Sequence, residues 1–236
     1  MVVLSAASQP VSYEWRPIED LPPDPTELSN SELGVLREIW LEQKDGLQSS
    51  AAVEEFNRRL RREWAIETGI IERVYTLDRE ITQVLIEQGI EASLIPSSAT
   101  DKDPELVVRM IRDHEEAVEG IFQFVKRERP LSTSYIKELH ALLTRHQESS
   151  TAVDTLGRMV TVSLLKGDYK KLPNNPQRPD GTVHQYCPPE HVAAEMDRLI
   201  QLHLQHGQRA VPPEVEAPGS IMHLRRFIRF RTATAG

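Results

Sequence analysis

One apolar face constrains this chain more than any other feature. Val107, Met110, Ile111, His114, Val118, Ile121, Phe122 and Val125 recur in steps of three and four residues. That is the period of an α-helix and not of a strand. Asp103-Pro104 ahead of it supplies an N-cap and a proline at the first helical position. Such a helix runs through about six turns, and a stripe of that length has to be covered by other helices. The chain is therefore predicted to be mainly α. His114 sits on the apolar face and reads as a satisfied core histidine, because no second ligand stands at metal spacing.

Partner helices can be read on both sides. Ser29 and Glu32 have capping-box spacing ahead of the stripe Leu33, Leu36, Ile39 and Trp40. Val53, Phe56, Leu60 and Trp64 carry the period on, and Ile66, Ile70, Ile71 and Val74 are expected to form one buried stripe. Arg58, Arg59, Arg61 and Arg62 read as a solvated face in preference to a phosphate patch. Within Trp64 to Tyr75, Thr68 and Glu72 are four residues apart and share a face. Glu72 is either an ordinary edge carboxylate or a group pointing into a cleft toward a cation. Ile81, Val84 and Leu85 come next, with Gly89 as a C-terminal cap. A polar loop from Ser93 to Asp103 is expected to separate two helical blocks. Beyond it, Ser132 opens a helix with Tyr135, Ile136, Leu139, His140 and Leu143 inside. Pro188-Pro189-Glu190 opens another, with Val192, Met196, Leu199, Ile200 and His203 inside and Gly207 at its end. His140 and His146 lie six residues apart, off a shared helix face and without a completing carboxylate, so both read as structural or incidental.

The period changes between Ala152 and Cys187. Met159-Val160-Thr161-Val162 is short and β-branched, and Gly167, Asn175-Pro176 and Asp180-Gly181 punctuate the rest of the stretch. The expectation is a β-hairpin or long flap, with a second strand around Val183 to Tyr186. Residues 1–28 carry Pro10, Pro17, Pro22, Pro23 and Pro25 and read as an irregular, partly mobile lead-in.

Composition excludes several classes. The 236 residues are 39% hydrophobic and 27% charged, as in a soluble globular chain. A net charge of −8 speaks against a nucleic-acid binder, which needs cations for phosphates. Cys187 is the only cysteine, so no intrachain disulfide can form. No run approaches the ~20 apolar residues of a membrane span, and no secretory leader is visible at the start. A cytoplasmic location is the expectation. Gly-rich phosphate loops, Gly-x-Ser-x-Gly elbows and Cys-x-x-Cys pairs are missing.

The order of three pieces resembles the Fic (Fido) family, whose members mostly transfer AMP from ATP to side-chain hydroxyls of proteins. Trp64 to Glu72 resembles that family's inhibitory helix, Ser/Thr-x-x-x-Glu followed by Gly or Asn, although Arg73 stands at the last position. Leu131 to His140 resembles its Leu-x(n)-Ile-x-x-Leu-His helix. Gly167-Asp168-Tyr169, with His184-x-Tyr-x-Pro-Pro189, resembles the flap that docks target segments. The resemblance covers roughly residues 30–217. It implies a Fic-like helical bundle with a β-hairpin flap, inhibitory roles for Thr68 and Glu72, and a docking role for Gly167, Asp168 and Tyr169. It also implies ATP and magnesium as cofactors and a protein as target. Nucleic acid and membrane are not expected as partners, and self-association is compatible with the resemblance.

The family's signature, His-Pro-Phe-x-Asp/Glu-Gly-Asn-Gly-Arg, is nowhere in the chain. Its histidine would be the general base, its carboxylate the magnesium ligand, its turn the phosphate cradle and its arginine the phosphate clamp. Codons can be chosen for Arg226 to Ala235 that read Ile-His-Pro-Phe-Gln-Asp-Gly-Asn-Gly in a neighbouring frame. The chain then divides into a lead-in at 1–28, an N-terminal helical region at 29–100, a partial Fic domain at 101–217 and an out-of-frame tail at 218–236. On this division the C-terminal part is missing, no catalytic residue or metal ligand is assigned, and neither ATP nor magnesium is expected to bind productively. Val107, Ile121, Leu139 and Ile200 are expected to lack a packing partner. The competing view is a non-catalytic helical interaction module, which could use its flap or its basic tail.

Overall fold

Asp103 caps the central helix as its sequence demands: its Oδ1 accepts the Leu106 N–H at 3.1 Å, and Pro104 comes next without a hydrogen bond to lose. The computed structural model of the chain describes residues 11–47, 51–154, 157–176, 178, 180–212 and 215–216. The elements in order are β1 (Val11–Tyr13), α1 (Ser31–Leu47), α2 (Ala51–Ile71), α3 (Arg79–Gln88), α4 (Pro104–Val125), α5 (Thr133–Leu143), β2 (Ser149–Val153), β3 (Met159–Ser163), β4 (Val183–His184) and α6 (Pro189–Gln208). The architecture is mainly α with a small antiparallel hairpin, as expected. The tail 218–236 lies outside the described residues.

Helix α4 packs against α2 on one side and α5 on the other. Val107, Met110 and Ile111 of α4 meet Ala65 and Ile66 of α2 and Leu85 and Ile86 of α3 in one buried cluster. Val107 is therefore fully covered, which corrects the expectation that it lacks a partner. Only the far end of the stripe is bare, since Ile121 and Val125 are exposed. Ile90 and Ile95, from the segment between α3 and α4, join the same cluster. The polar loop thus packs onto both helical blocks that it was expected to separate.

The stripe on α2 needs a second correction. Ile66 is buried and Ile70 packs against the cluster, but Ile71 is 70% exposed. Val74 is buried in a turn beyond the end of the helix, not in another helical turn. On α1, the stripe of Leu33, Leu36, Ile39 and Trp40 is exposed.

A second cluster joins Cys187 to Val192, Met196, Leu199 and Leu202 of α6. The lead-in contributes to it directly. Ile18 is 1% exposed, its N–H donates to Glu195 Oε2 at 2.6 Å, and Trp15 stacks on His191. Upstream, β1 pairs in parallel with β4. The hairpin itself is formed by β2 and β3, in register from Ser149↔Ser163 to Val153↔Met159. The expected partner of β3, the stretch from Val183 to Tyr186, is thus replaced by Ser149–Val153. Period-2 burial explains the choice: Ala152 and its cross-strand partner Val160 turn inward together.

Candidate functional site

Helix α2 ends at the sequence-predicted inhibitory residues. The N–H of Glu72 donates to the Thr68 carbonyl at 2.9 Å, closing the last α-helical turn. Arg73 then takes φ 53°, its N–H donating to Ile70 O, while the Val74 N–H reaches back to Gly69 O at 2.8 Å. These two bonds make a Schellman cap with Arg73 in the left-handed position. Glycine or asparagine suits that position by conformation alone. Thr68 is exposed and Glu72 half-buried at the helix terminus.

The flap turn is held against α5. Gly167 has φ 69°, and a Cβ there would meet Ala141 Cβ and the Lys137 carbonyl, each at 2.9 Å. Only glycine lets the turn sit this close. Its N–H donates to His140 Nδ1 at 3.0 Å, so the imidazole serves as acceptor and carries its proton on Nε2. Burial holds the His140 pKa below the ordinary histidine value. Asp168 Oδ1 accepts its neighbour Tyr169 N–H at 2.8 Å and the Lys137 ammonium at 3.1 Å. Those two interactions, the backbone one first, keep its carboxyl below the usual range. The Lys137 ammonium also stands 4.0 Å from the centre of the Tyr169 ring.

Behind the turn lies a cavity of about 240 Å³, walled by α5, the hairpin, the loop 164–174 and α6. Ile136, Val162, Leu164, Leu172, Val192 and Met196 give it an apolar surface. Lys170 enters this space. Its Nζ donates to Asn174 Oδ1 at 2.5 Å, and burial pushes its pKa down to about 8 despite the opposing pull of Cys187 and Glu190. Cys187 is fully buried beside it, and burial raises that thiol to about 12. The thiol is therefore inert as a nucleophile near neutral pH.

The structure thus brings Gly167, Asp168 and Tyr169 together with His140, which sequence reasoning set aside, and with Lys137 and Lys170, which it did not single out. The signal was present: Lys137 precedes His140 by one helical turn, and Lys170 comes directly after the Gly-Asp-Tyr turn. Thr68 and Glu72 stand apart from this group, in and just beyond the last turn of α2, which packs mainly on α4 and α3. His146 is a clasp, its Nδ1 2.6 Å from the buried Asp113 Oδ2, and Arg145 reaches Asp113 Oδ1 at 3.1 Å. His114 is buried with burial lowering its pKa, bonded to the Ala65 backbone, though its Nδ1 has no partner. The arginine run on α2, expected as a solvated face, is exposed or half-buried and pairs with neighbouring groups. Arg58 pairs with Glu55, Arg59 with Glu87, Arg61 with Glu119, and Arg62 donates to the Ile86 carbonyl. Among the described residues no group of three or more histidine, cysteine or acidic side chains could hold a metal ion, and no helix is long and apolar enough to cross a membrane.

No protein-family model and no curated protein matches the chain. Among solved structures, it is similar to a Fic domain containing signaling protein from Bacteroides thetaiotaomicron. The TM-score is 0.51 and the identity 17%, over 82% of this chain and 75% of that one. Helical core, hairpin and docked flap turn occur in the order expected from the sequence, and the chain has the fold of a Fic domain.

Proposed function

We propose that this chain is a Fic-type scaffold of the kind that transfers AMP from ATP to protein hydroxyls, with its flap and inhibitory helix kept and its catalytic motif absent. The observation that carries this reading is the flap turn, whose Gly167 packs on the α5 backbone and bonds His140 at 3.0 Å. A turn fixed so tightly beside a hairpin suits the docking of an extended target segment. The fold likeness supports the same assignment.

The residues present do not fit ATP and magnesium. General base, metal-binding carboxylate and phosphate-binding turn occur nowhere together in the 236 residues. His140 cannot replace the base through Nδ1, which already accepts the Gly167 N–H. No step is therefore assigned to this chain, and it is expected to transfer no AMP. Glu72, half-buried at the α2 terminus, keeps the inhibitory position, with Thr68 supporting the last helical turn. The test is magnesium-dependent labelling of the purified chain and added proteins with α-labelled ATP. Incorporation no greater than that of a denatured control is expected; label above it would overturn the claim of inactivity.

A further inference from the structure

We infer that the cavity behind the flap turn binds a small organic anion, with its apolar body among Ile136, Val162 and Met196 and its anionic head on Lys170. This goes beyond the AMP-transfer reading and stands whether or not the flap docks a protein.

Size argues first. About 240 Å³ lies below the ~300–1,000 Å³ of drug-sized sites. The ligand is then a short chain or a single ring. The wall chemistry argues second, since the lining is mainly aliphatic and favours an apolar body.

Charge argues third. Asp168 is the one carboxylate lining the cavity, and it is already bonded to Lys137 and to the Tyr169 N–H. Among the described residues Lys170 has only the neutral Asn174 oxygen within hydrogen-bond distance and the Tyr186 ring centre 5.8 Å away, and it forms no ion pair. A half-buried ammonium that makes no ion pair, with Glu190 acting on it only beyond salt-bridge distance, is costly to keep charged, and its lowered pKa records that cost. An anion entering the cavity would supply the missing charge in a poorly solvated place, where a charge-assisted hydrogen bond is strongest. Lys171 at the rim adds a second positive charge. The cavity is therefore a locally cationic site on a chain of net charge −8.

Octanoate and its neutral isostere octanamide are the probes, titrated into the full chain by calorimetry. Octanoate is expected to bind about tenfold more tightly, the contribution of one charge-assisted hydrogen bond. Lys170→Met should abolish that preference and Lys170→Arg should largely keep it. Val162→Trp fills the cavity away from the lysine and should weaken both ligands, which protects the test if Lys170→Met fails to fold. Equal affinity for the two probes, unchanged octanoate binding in Lys170→Met or Val162→Trp, or no saturable binding of octanoate in the millimolar range would each overturn the inference.

Discussion

Arg73 shows how a motif position can be misread when its backbone is unknown. In sequence it departs from the pattern of the resembled family, which has glycine or asparagine after the glutamate. In the structure the position is the left-handed residue of a helix cap, at φ 53°. Glycine or asparagine suits such a position by conformation, and arginine there costs stability. Arg73→Gly is expected to stabilise the chain by about 0.5–1 kcal/mol, the usual gain at such a cap after the extra unfolded-state entropy of glycine. A lower urea midpoint would contradict this. Gly69 behaves oppositely. Alanine inside a helix normally gains about 1 kcal/mol over glycine, but a Cβ at Gly69 would clash with Tyr75 Oη. Tyr75 is buried and donates to the Ile66 carbonyl at 3.1 Å, so it cannot simply swing away. Overpacking should win, and Gly69→Ala should destabilise by about 1–3 kcal/mol in the same urea experiment. Neither effect was legible in the sequence, because both depend on where the chain goes after Glu72.

At the scale of elements, the helices were the legible part. A period of 3.6 sustained over many residues, with caps such as Asp103 and Ser132, specifies α4 and α5 locally. The hairpin was legible only in part. Met159–Ser163 is rich in β-branched residues, but its partner Ser149–Val153 opens on two serines and has a weaker strand signal of its own. The bond from Gly167 to His140 was hidden for the same reason, being a contact between elements 27 residues apart. That bond ties the flap turn to acid stability. The folded pKa values of His140 and His114 are both lowered from 6.5, chiefly by burial. As pH falls below about 6.5 the unfolded chain therefore takes up protons before the folded one. The stability from the neutral rings is complete above 6.5 and is lost as pH falls toward the folded values. The Tm should drop between about pH 7 and pH 5. His140→Asn, which keeps an acceptor for the Gly167 N–H and does not titrate, should flatten that slope. An unchanged slope would show that His140 does not carry it.

At the scale of the molecule, two apolar clusters share the work. One lies among α2, α3 and α4, the other beneath α6 and the segment around Ile18, with α5 packed on both α4 and α6. The first cluster could be read from helical periodicity. The second could not, because Ile18 lies among prolines in a segment without any period and is buried by packing against α6, where its N–H also donates to Glu195. The residues proposed as inhibitory and docking stand on these two halves, Glu72 at the end of α2 and Gly167 against α5. A catalytic motif would have to meet both. The most direct test is therefore AMP transfer in a variant in which the motif of the neighbouring frame replaces the present tail, with and without Glu72→Gly. Labelling from α-labelled ATP is expected in the repaired chain and more of it with Glu72→Gly, while the 236-residue chain is expected to give none. A repaired chain that folds cooperatively and transfers no AMP, with or without Glu72→Gly, would contradict the assignment.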